Sequence, residues 1–158
     1  MVYQLLNQFH NLVDNDNADY ALKCRLLFEP LKTFATTIEL RVINASRGHW
    51  KLKVDVESTE QIPDDVVNLT AAVGKSDKVS FRVSNRFLGY SPFQAYFTSK
   101  SSNQFTVSPS SGVLAPFGSE GTQFMVTFSP TQYGLAQRAN LLIVTDDAQW
   151  SYDIRGGF

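Results

Sequence analysis

The chain has 158 residues, of which 43% are hydrophobic and 18% are charged, so a packed core is expected and a disordered chain is not. A net charge of −1 argues against binding nucleic acid or an anionic membrane through the overall electrostatic field. Cys24 is the single cysteine, which excludes a disulfide within the chain. We interpret it as a structural thiol. With no signal-peptide pattern and no apolar run near the roughly 20 residues that span a bilayer, we expect a cytoplasmic protein.

The first segment carries the one clear helical pattern. Apolar residues from Val2 to Val13 recur at the spacing that lines one face of a helix, and the polar run Asp14–Asn17 follows. We expect this helix to pack against a sheet edge or a neighbouring domain. Binding to a membrane or to another partner is the alternative.

Short β-type runs begin after Tyr20. Apolar residues alternate or cluster in Leu22–Phe28, Ile38–Ile43 and Trp50–Val56, and the last run alternates cleanly with charged residues. We interpret residues 1–57 as a helix followed by part of a β-sandwich unit, and the polar residues 58–64 as a linker. Residues 65–158 then form a second unit.

Seven strands are predicted in the second unit, at the short spacing typical of a sandwich. They are Val66–Val73, Lys78–Ser84, Phe93–Thr98, Gln104–Val107, Thr122–Phe128, Ala139–Thr145 and Gln149–Ile154. Phe105, Phe124, Phe128, Leu141, Ile143 and Trp150 are spaced to lie between two sheets. The fold class is therefore all-β.

Two parts of the chain share one pattern. Phe28-Glu29-Pro30 is followed at the same distance by Trp50 as Phe128-Ser129-Pro130 is by Trp150. We interpret this as an internal repeat, in which the first copy holds only the final strands of a unit. Chance agreement is the alternative, because the alternation of the middle strand slips by one residue between the copies.

Four stretches of the second unit carry a family resemblance. They are Lys78–Asn85, Phe105–Pro116 with its pattern F-x-V-x-P-x-x-G-x-L-x-P, Val126–Pro130, and the closing segment Trp150–Gly157. Taken in order, they resemble the ASH domain, a relative of the major sperm protein and PapD-like sandwiches. Large ciliary proteins such as hydin carry tandem arrays of such domains. The resemblance implies an immunoglobulin-like, seven-stranded sandwich.

The resemblance also implies a function. We expect a non-catalytic structural and protein-binding module of a large axonemal scaffold, located in the cilium or flagellum and its cytoskeleton. Its partners would be other axonemal proteins and neighbouring repeats of the same chain, with no nucleic acid, membrane or small-molecule substrate. A soluble peptide-binding adaptor of the major sperm protein type is the first alternative. A secreted chaperone or adhesion sandwich is the second.

Candidate catalytic and metal-binding residues are few. His10 and His49 are far apart in sequence and form no metal-binding spacing with Cys24. Asp14–Asp19 lacks the glycine and the closing glutamate of a calcium loop. We therefore expect no catalytic, metal or cofactor site.

Two kinds of binding surface are predicted. The runs Lys78–Asn85 and Gln149–Arg155 are candidate edge strands, which accept a partner strand through backbone hydrogen bonds. Arg86–Phe93 is an aromatic loop of the composition found at interface hot spots, although Phe87 and Phe93 could instead belong to the core, leaving only Tyr90 exposed. The candidate binding residues are Arg82, Arg86, Phe87, Tyr90, Trp150 and Tyr152.

Overall fold

A computed structural model describes residues 3–7, 24–44, 48–60, 62–134 and 136–158. Within these ranges the secondary structure consists of twelve β-strands, β1 to β12, without a helix. The chain divides into a unit of residues Met1–Leu31 and a unit of residues Lys32–Phe158. The all-β prediction is confirmed for the described residues.

The first unit contains an antiparallel strand pair. Strand β1 (Tyr3–Asn7) pairs with β2 (Cys24–Phe28), with Tyr3 opposite Phe28 and Asn7 opposite Cys24. Five residues of the predicted helix over Val2–Val13 form β1 in the structure, and its other residues lie outside the described ones. A short apolar run fits a helix or a strand equally well, and pairing with β2 supplies the backbone hydrogen bonds that a helix would make internally.

The unit Lys32–Phe158 begins with a two-stranded antiparallel ribbon. Strand β3 (Phe34–Asn44) pairs along its whole length with β4 (Gly48–Ser58), as the alternating sequence predicts. Because side chains alternate between faces, Val42 and Leu40 share one face with their partners Trp50 and Leu52. The opposite face is charged, and on it Glu39 forms ion pairs with Arg41 and Lys51.

The base of the ribbon is tied to the rest of this unit. Ser58 Oγ donates to the Lys32 carbonyl at 2.7 Å and accepts the Phe34 N–H at 3.1 Å. Lys32 Nζ donates to the carbonyls of Asp146 at 2.5 Å and Thr145 at 3.5 Å. These bonds attach the ribbon to the turn that joins the last two strands of the chain.

A two-sheet sandwich follows the ribbon. Its strands are β5 (Asp65–Thr70), β6 (Asp77–Val83), β7 (Ser91–Phe97), β8 (Phe105–Ser108), β9 (Ser111–Leu114), β10 (Thr122–Phe128), β11 (Gln137–Val144) and β12 (Gln149–Gly157). One sheet has the order β6-β10-β8 and the other β5-β12-β11-β7-β9. All neighbouring strands are antiparallel except β5 and β12, which are parallel.

Each of the seven predicted strands of the sandwich is present, and β9 is an eighth that the prediction missed. The sequence Pro109–Gly112 has strong turn chemistry, and glycine is depleted in strands, so the segment resembles a loop. Gly112 is nevertheless opposite Phe93 of β7. A Cβ atom at Gly112 would lie 3.1 Å from the Phe93 ring, which explains why this short strand contains glycine.

The core lies between the two sheets. All six residues predicted to face between the sheets are buried, which confirms this part of the prediction. Aromatic rings from the two sheets meet there: Phe93 and Phe124 have ring centroids 5.0 Å apart. Gly156 of β12 lies against the Phe128 ring, where an added Cβ would be 2.6 Å from ring atoms. The glycine therefore allows the sheets to approach closely.

Candidate protein-binding surface

The predicted aromatic loop, which joins β6 to β7, is held in place by Asn85. This side chain is buried, and its Nδ2 donates to the Gly89 carbonyl at 2.9 Å and to Ser91 Oγ at 3.0 Å. Its Oδ1 accepts the Phe87 N–H at 3.2 Å. A buried amide with three hydrogen bonds fixes the loop from inside, because breaking the arrangement would leave polar groups unpaired.

The loop presents apolar side chains to solvent. Leu88 is 84% exposed and Tyr90 is 74% exposed. A second loop, between β9 and β10, adjoins the first, since the Phe117 N–H donates to the Phe87 carbonyl at 2.8 Å, and the Phe117 ring is also exposed. We call Leu88, Tyr90 and Phe117 the apolar platform. Sequence reasoning missed Phe117, although a large aromatic residue between Pro116 and Gly118 in a turn is a usable signal.

The open question of which loop aromatics are core is answered residue by residue. Phe93 is buried on β7, as the core alternative predicts, and Phe87 is half-buried. Tyr90 is exposed, but so is Leu88, so the exposed surface is larger than that alternative allows.

Arg86 connects the aromatic loop to two other elements. Its Nη2 lies 3.7 Å from Asp64 Oδ1, and its guanidinium carbon lies 5.8 Å from the centroid of the Trp150 ring. Asp64 is itself bound to β12, because its N–H donates to the Ser151 carbonyl at 2.7 Å and its Oδ2 accepts the Ser151 N–H at 2.8 Å. Arg86 therefore helps to hold the residues before β5 against the sandwich.

Trp150 and Tyr152 lie on β12, which the sequence analysis treated as a candidate edge. That interpretation of Gln149–Arg155 is wrong, because β12 lies between β11 and β5. Both rings are buried, and the centroid of the Tyr152 ring lies 4.7 Å from the centroid of the Phe81 ring. Burial, with the negative charges of Asp64 and Asp65, raises the pKa of Tyr152 to about 12 although Arg86 opposes the shift. A role for these two rings in binding stays a prediction.

Arg82 lies on β6, which is an edge strand of the three-stranded sheet, as predicted for the run Lys78–Asn85. The side chain is exposed and turns towards the second loop. Its Nη1 donates to the Gly121 carbonyl at 3.2 Å and lies 3.5 Å from Glu120 Oε2. Arg82 thus supports the loop that carries Phe117, rather than extending freely into solvent.

A groove of about 500 Å³ lies on the outer side of the five-stranded sheet. Tyr96 and Pro92 of β7, Ser111 of β9, Val144 and Lys32 are among the residues that line it. Lys32 brings a positive charge to this groove, and β9 is the end strand of the sheet. The groove therefore combines apolar side chains, one cation and a sheet edge.

In the described part of the chain, no group of three or more His, Cys, Asp or Glu residues is arranged to hold a metal ion. His49 is exposed on β4. His10, the segment Asp14–Asp19 and the side chain of Cys24 lie outside the described residues.

In the same described ranges, no helix has the length and apolar character needed to cross a membrane.

These features define an immunoglobulin-like, all-β protein. Comparison with known proteins shows which family and which relatives the chain is similar to. Residues 2–59 match the family described as "CFAP47-like, immunoglobulin-like domain". The chain is 34% identical over 132 residues to cilia and flagella-associated protein 47 of Mus musculus, and 31% identical over 132 residues to the Homo sapiens protein. These matches cover 83% of the chain and 4% of each relative, so the chain spans only a small part of the relatives' length. They confirm the predicted resemblance to domains of large ciliary proteins.

Two solved structures are among those similar to this chain. The CupB2 chaperone of Pseudomonas aeruginosa has a TM-score of 0.46 and 16% identity, covering 57% of this chain and 51% of the chaperone chain. SSP-19, an MSP-domain protein like family member of Caenorhabditis elegans, has a TM-score of 0.40 and 12% identity, covering 59% and 94% of the two chains.

Proposed function

We propose that the chain is a non-catalytic structural and protein-binding module of a large axonemal scaffold protein. The observation that carries this proposal is its similarity, along 83% of its length, to cilia- and flagella-associated proteins of which it covers only 4%. A short β module within so long a relative is typical of proteins built from many domains. Its partners would be other axonemal proteins and neighbouring repeats of the same chain, in the cilium or flagellum.

The apolar platform is the surface we assign to partner binding. Large apolar side chains exposed on neighbouring loops commonly mark an interaction site, and aromatic residues are enriched among binding hot spots. Leu88, Tyr90 and Phe117 lie on loops that hydrogen bonds already order. A surface fixed in advance loses little conformational entropy when a partner binds.

The proposal includes a division of the chain into three parts. Residues 1–57 are the tail of a preceding repeat, residues 58–64 a linker, and residues 65–158 an ASH-like or PapD-like domain. The end of the family match at residue 59 supports the first boundary. The hydrogen bonds between Asp64 and Ser151 support the second, because they attach the chain to the sandwich just before β5.

The experiment that tests the proposal follows a tagged copy of the chain in ciliated cells before and after detergent extraction. We expect the wild-type chain to stay on the extracted axoneme. Leu88→Ser, Tyr90→Ser and Phe117→Ser combined should reduce the retained fraction several-fold. Tyr133→Ser is the matched control, because Tyr133 is equally exposed but lies in the β10–β11 connection, and it should be retained normally.

A diffuse signal for the wild-type chain would contradict the axonemal proposal. Retention that does not depend on the platform would contradict its assigned role, leaving the scaffold function to another surface. Circular dichroism of each purified variant would show that the loss of binding does not reflect unfolding.

The groove beside Lys32 favours one second candidate, a soluble adaptor that binds peptides. A cation, apolar side chains and an end strand together fit an extended acidic peptide. In that case an acidic peptide library would bind the wild-type chain in a manner that weakens with salt, and Lys32→Glu would abolish the binding.

A further inference from the structure

The two strands of the ribbon are less covered than the matching strands of the sandwich. Trp50 of β4 is 51% exposed, whereas Trp150, at the matching place in the second stretch of the shared Phe-x-Pro…Trp pattern, is 5% exposed. In the sandwich, β12 has a strand on each side. Among the described residues, β4 has a strand neighbour on one side only, namely β3. In the part of the chain that the structure describes, this edge of β4 is open to another strand.

The sequence of β4 is complementary to itself when read in the opposite direction. If two copies of β4 run antiparallel with Val54 opposite Val54, then Lys53 faces Asp55 and Lys51 faces Glu57. On the other face of the same pair, Leu52 is opposite Val56. Each of these cross-strand pairs joins opposite charges or two apolar side chains, which are the pairings that stabilise antiparallel sheets.

We propose that this edge binds a second copy of the chain, so that two ribbons form one four-stranded sheet of order β3-β4-β4-β3. The interface is isologous, because one patch meets the same patch on the other copy about a twofold axis. This inference concerns the ribbon alone and does not depend on a ciliary role for the protein.

The contacts already present within the ribbon are compatible with this register. Lys51 Nζ lies 3.7 Å from Glu39 Oε1 on the β3 side, so in the dimer it would lie between that carboxylate and Glu57 of the second copy. Asp55 Oδ1 accepts a hydrogen bond from Thr37 Oγ1 at 2.6 Å and would face Lys53 on its other side. The charged side chains of β4 are exposed and available for a second neighbour.

Lysines on an edge strand also serve to prevent pairing in monomeric proteins. In β4, the acidic residues Asp55 and Glu57 distinguish an edge that pairs with its own copy from an edge protected against pairing. A protective row of lysines would repel its own copy, whereas in β4 the lysines occupy one half of the strand and the acids the other half. Antiparallel pairing therefore brings each lysine of one copy opposite an acid of the second.

Strand addition over so few residues makes a small interface, and interfaces of that size are typically transient. The expected behaviour is a monomer–dimer equilibrium, measured by sedimentation velocity on the 158-residue chain between about 5 and 500 µM. The dimer should weaken as salt is added, because exposed ion pairs contribute to it.

Charge reversal provides a decisive test. Lys51→Glu/Lys53→Glu makes all four positions acidic, and Asp55→Lys/Glu57→Lys makes them all basic, so each variant alone should be monomeric. An equimolar mixture of the two should restore the dimer, because the acidic β4 again faces a basic one. Lys75→Glu/Lys78→Glu changes two exposed lysines of the sandwich by the same charge, and this control should dimerise like the wild type.

A wild-type chain that stays monomeric at the highest concentration would overturn the proposal. A dimer that persists in both reversed variants would do so too, since its interface would then lie elsewhere. Failure of the mixture to dimerise while the wild type does would reject the register. None of these results depends on where the protein is located in cells, so they leave the axonemal proposal unaffected.

Discussion

The ribbon β3–β4 and the hairpin β11–β12 are two versions of one local pattern in different surroundings. Each follows a Phe-x-Pro segment, each is antiparallel, and each carries a tryptophan near the start of its second strand. The hairpin lies inside a five-stranded sheet beneath a second sheet, and Trp150 is buried there. The ribbon has no third strand among the described residues, and Trp50 is exposed.

The difference shows that strand formation and burial have separate causes. Alternation of apolar and polar residues is a local property, and it specifies a strand in both places. Burial depends on which neighbours the rest of the chain supplies. The same tryptophan therefore contributes differently to stability at the two sites.

The largest expected effect compares the two tryptophans directly. Trp150→Ala should lower the free energy of unfolding by about 3–5 kcal/mol, because it leaves a cavity between the sheets. Trp50→Ala should cost about 1 kcal/mol or less, since half of the ring is already in water. Urea unfolding followed by far-ultraviolet circular dichroism measures both without relying on tryptophan fluorescence. Equal losses would mean that the ribbon has a covered core like that of the sandwich.

The next effect concerns Tyr152, whose place in the ribbon is taken by Leu52, a side chain that does not ionise. The pKa of Tyr152 is raised to about 12 in the folded protein from an ordinary value of 10.0. Between these values the folded state keeps a proton that the unfolded state releases, so stability falls as pH rises. The slope due to this group is about 1.4 kcal/mol per pH unit.

Other groups also titrate in this range, so the measurement is the difference between the wild type and Tyr152→Phe. The variant should show a shallower loss of stability between pH 10 and 12. Tyr90→Phe removes the hydroxyl of an exposed tyrosine and is the control for the substitution itself. Parallel curves for all three proteins would show that the hydroxyl of Tyr152 is not held in its neutral form.

The smallest effect concerns two adjacent glycines at the end of β12. Gly156→Ala should destabilise by about 1–3 kcal/mol, because its Cβ would lie 2.6 Å from the Phe128 ring and force the sheets apart. Gly157→Ala, whose Cβ would meet Thr70 Oγ1 at 4.0 Å, should change stability by about 0.5 kcal/mol or less. The ribbon has Val56 at the position that matches Gly156. Similar effects at the two glycines would show that the sheets adjust freely.

Local pattern predicted most of the strands and the buried aromatic residues, because alternation and turn chemistry can be read along the chain. It failed for β9, where Gly112 serves the packing of Phe93 rather than a turn. It also failed to predict that β12 is internal, since the neighbour on its outer side is β5, which comes far earlier in the chain and pairs in parallel. In the candidate site, the loop was predicted from its composition. The buried Asn85 that orders it and the contribution of Phe117 depend on contacts between loops, which sequence spacing does not reveal.

The parallel pairing of β5 with β12 has a mechanical consequence. The chain enters the sandwich at Asp65 and leaves β12 at Gly157, at opposite ends of two neighbouring strands. A pull on these two points in opposite directions runs along both strands, so that the six register pairs from Tyr152 and Asp65 to Gly157 and Thr70 are loaded in shear together. Strands separated in this way cannot open one hydrogen bond at a time, as a hairpin pulled from its open end can. The parallel pair therefore resists a force applied at Asp65 and Gly157 more strongly than a hairpin of the same length would.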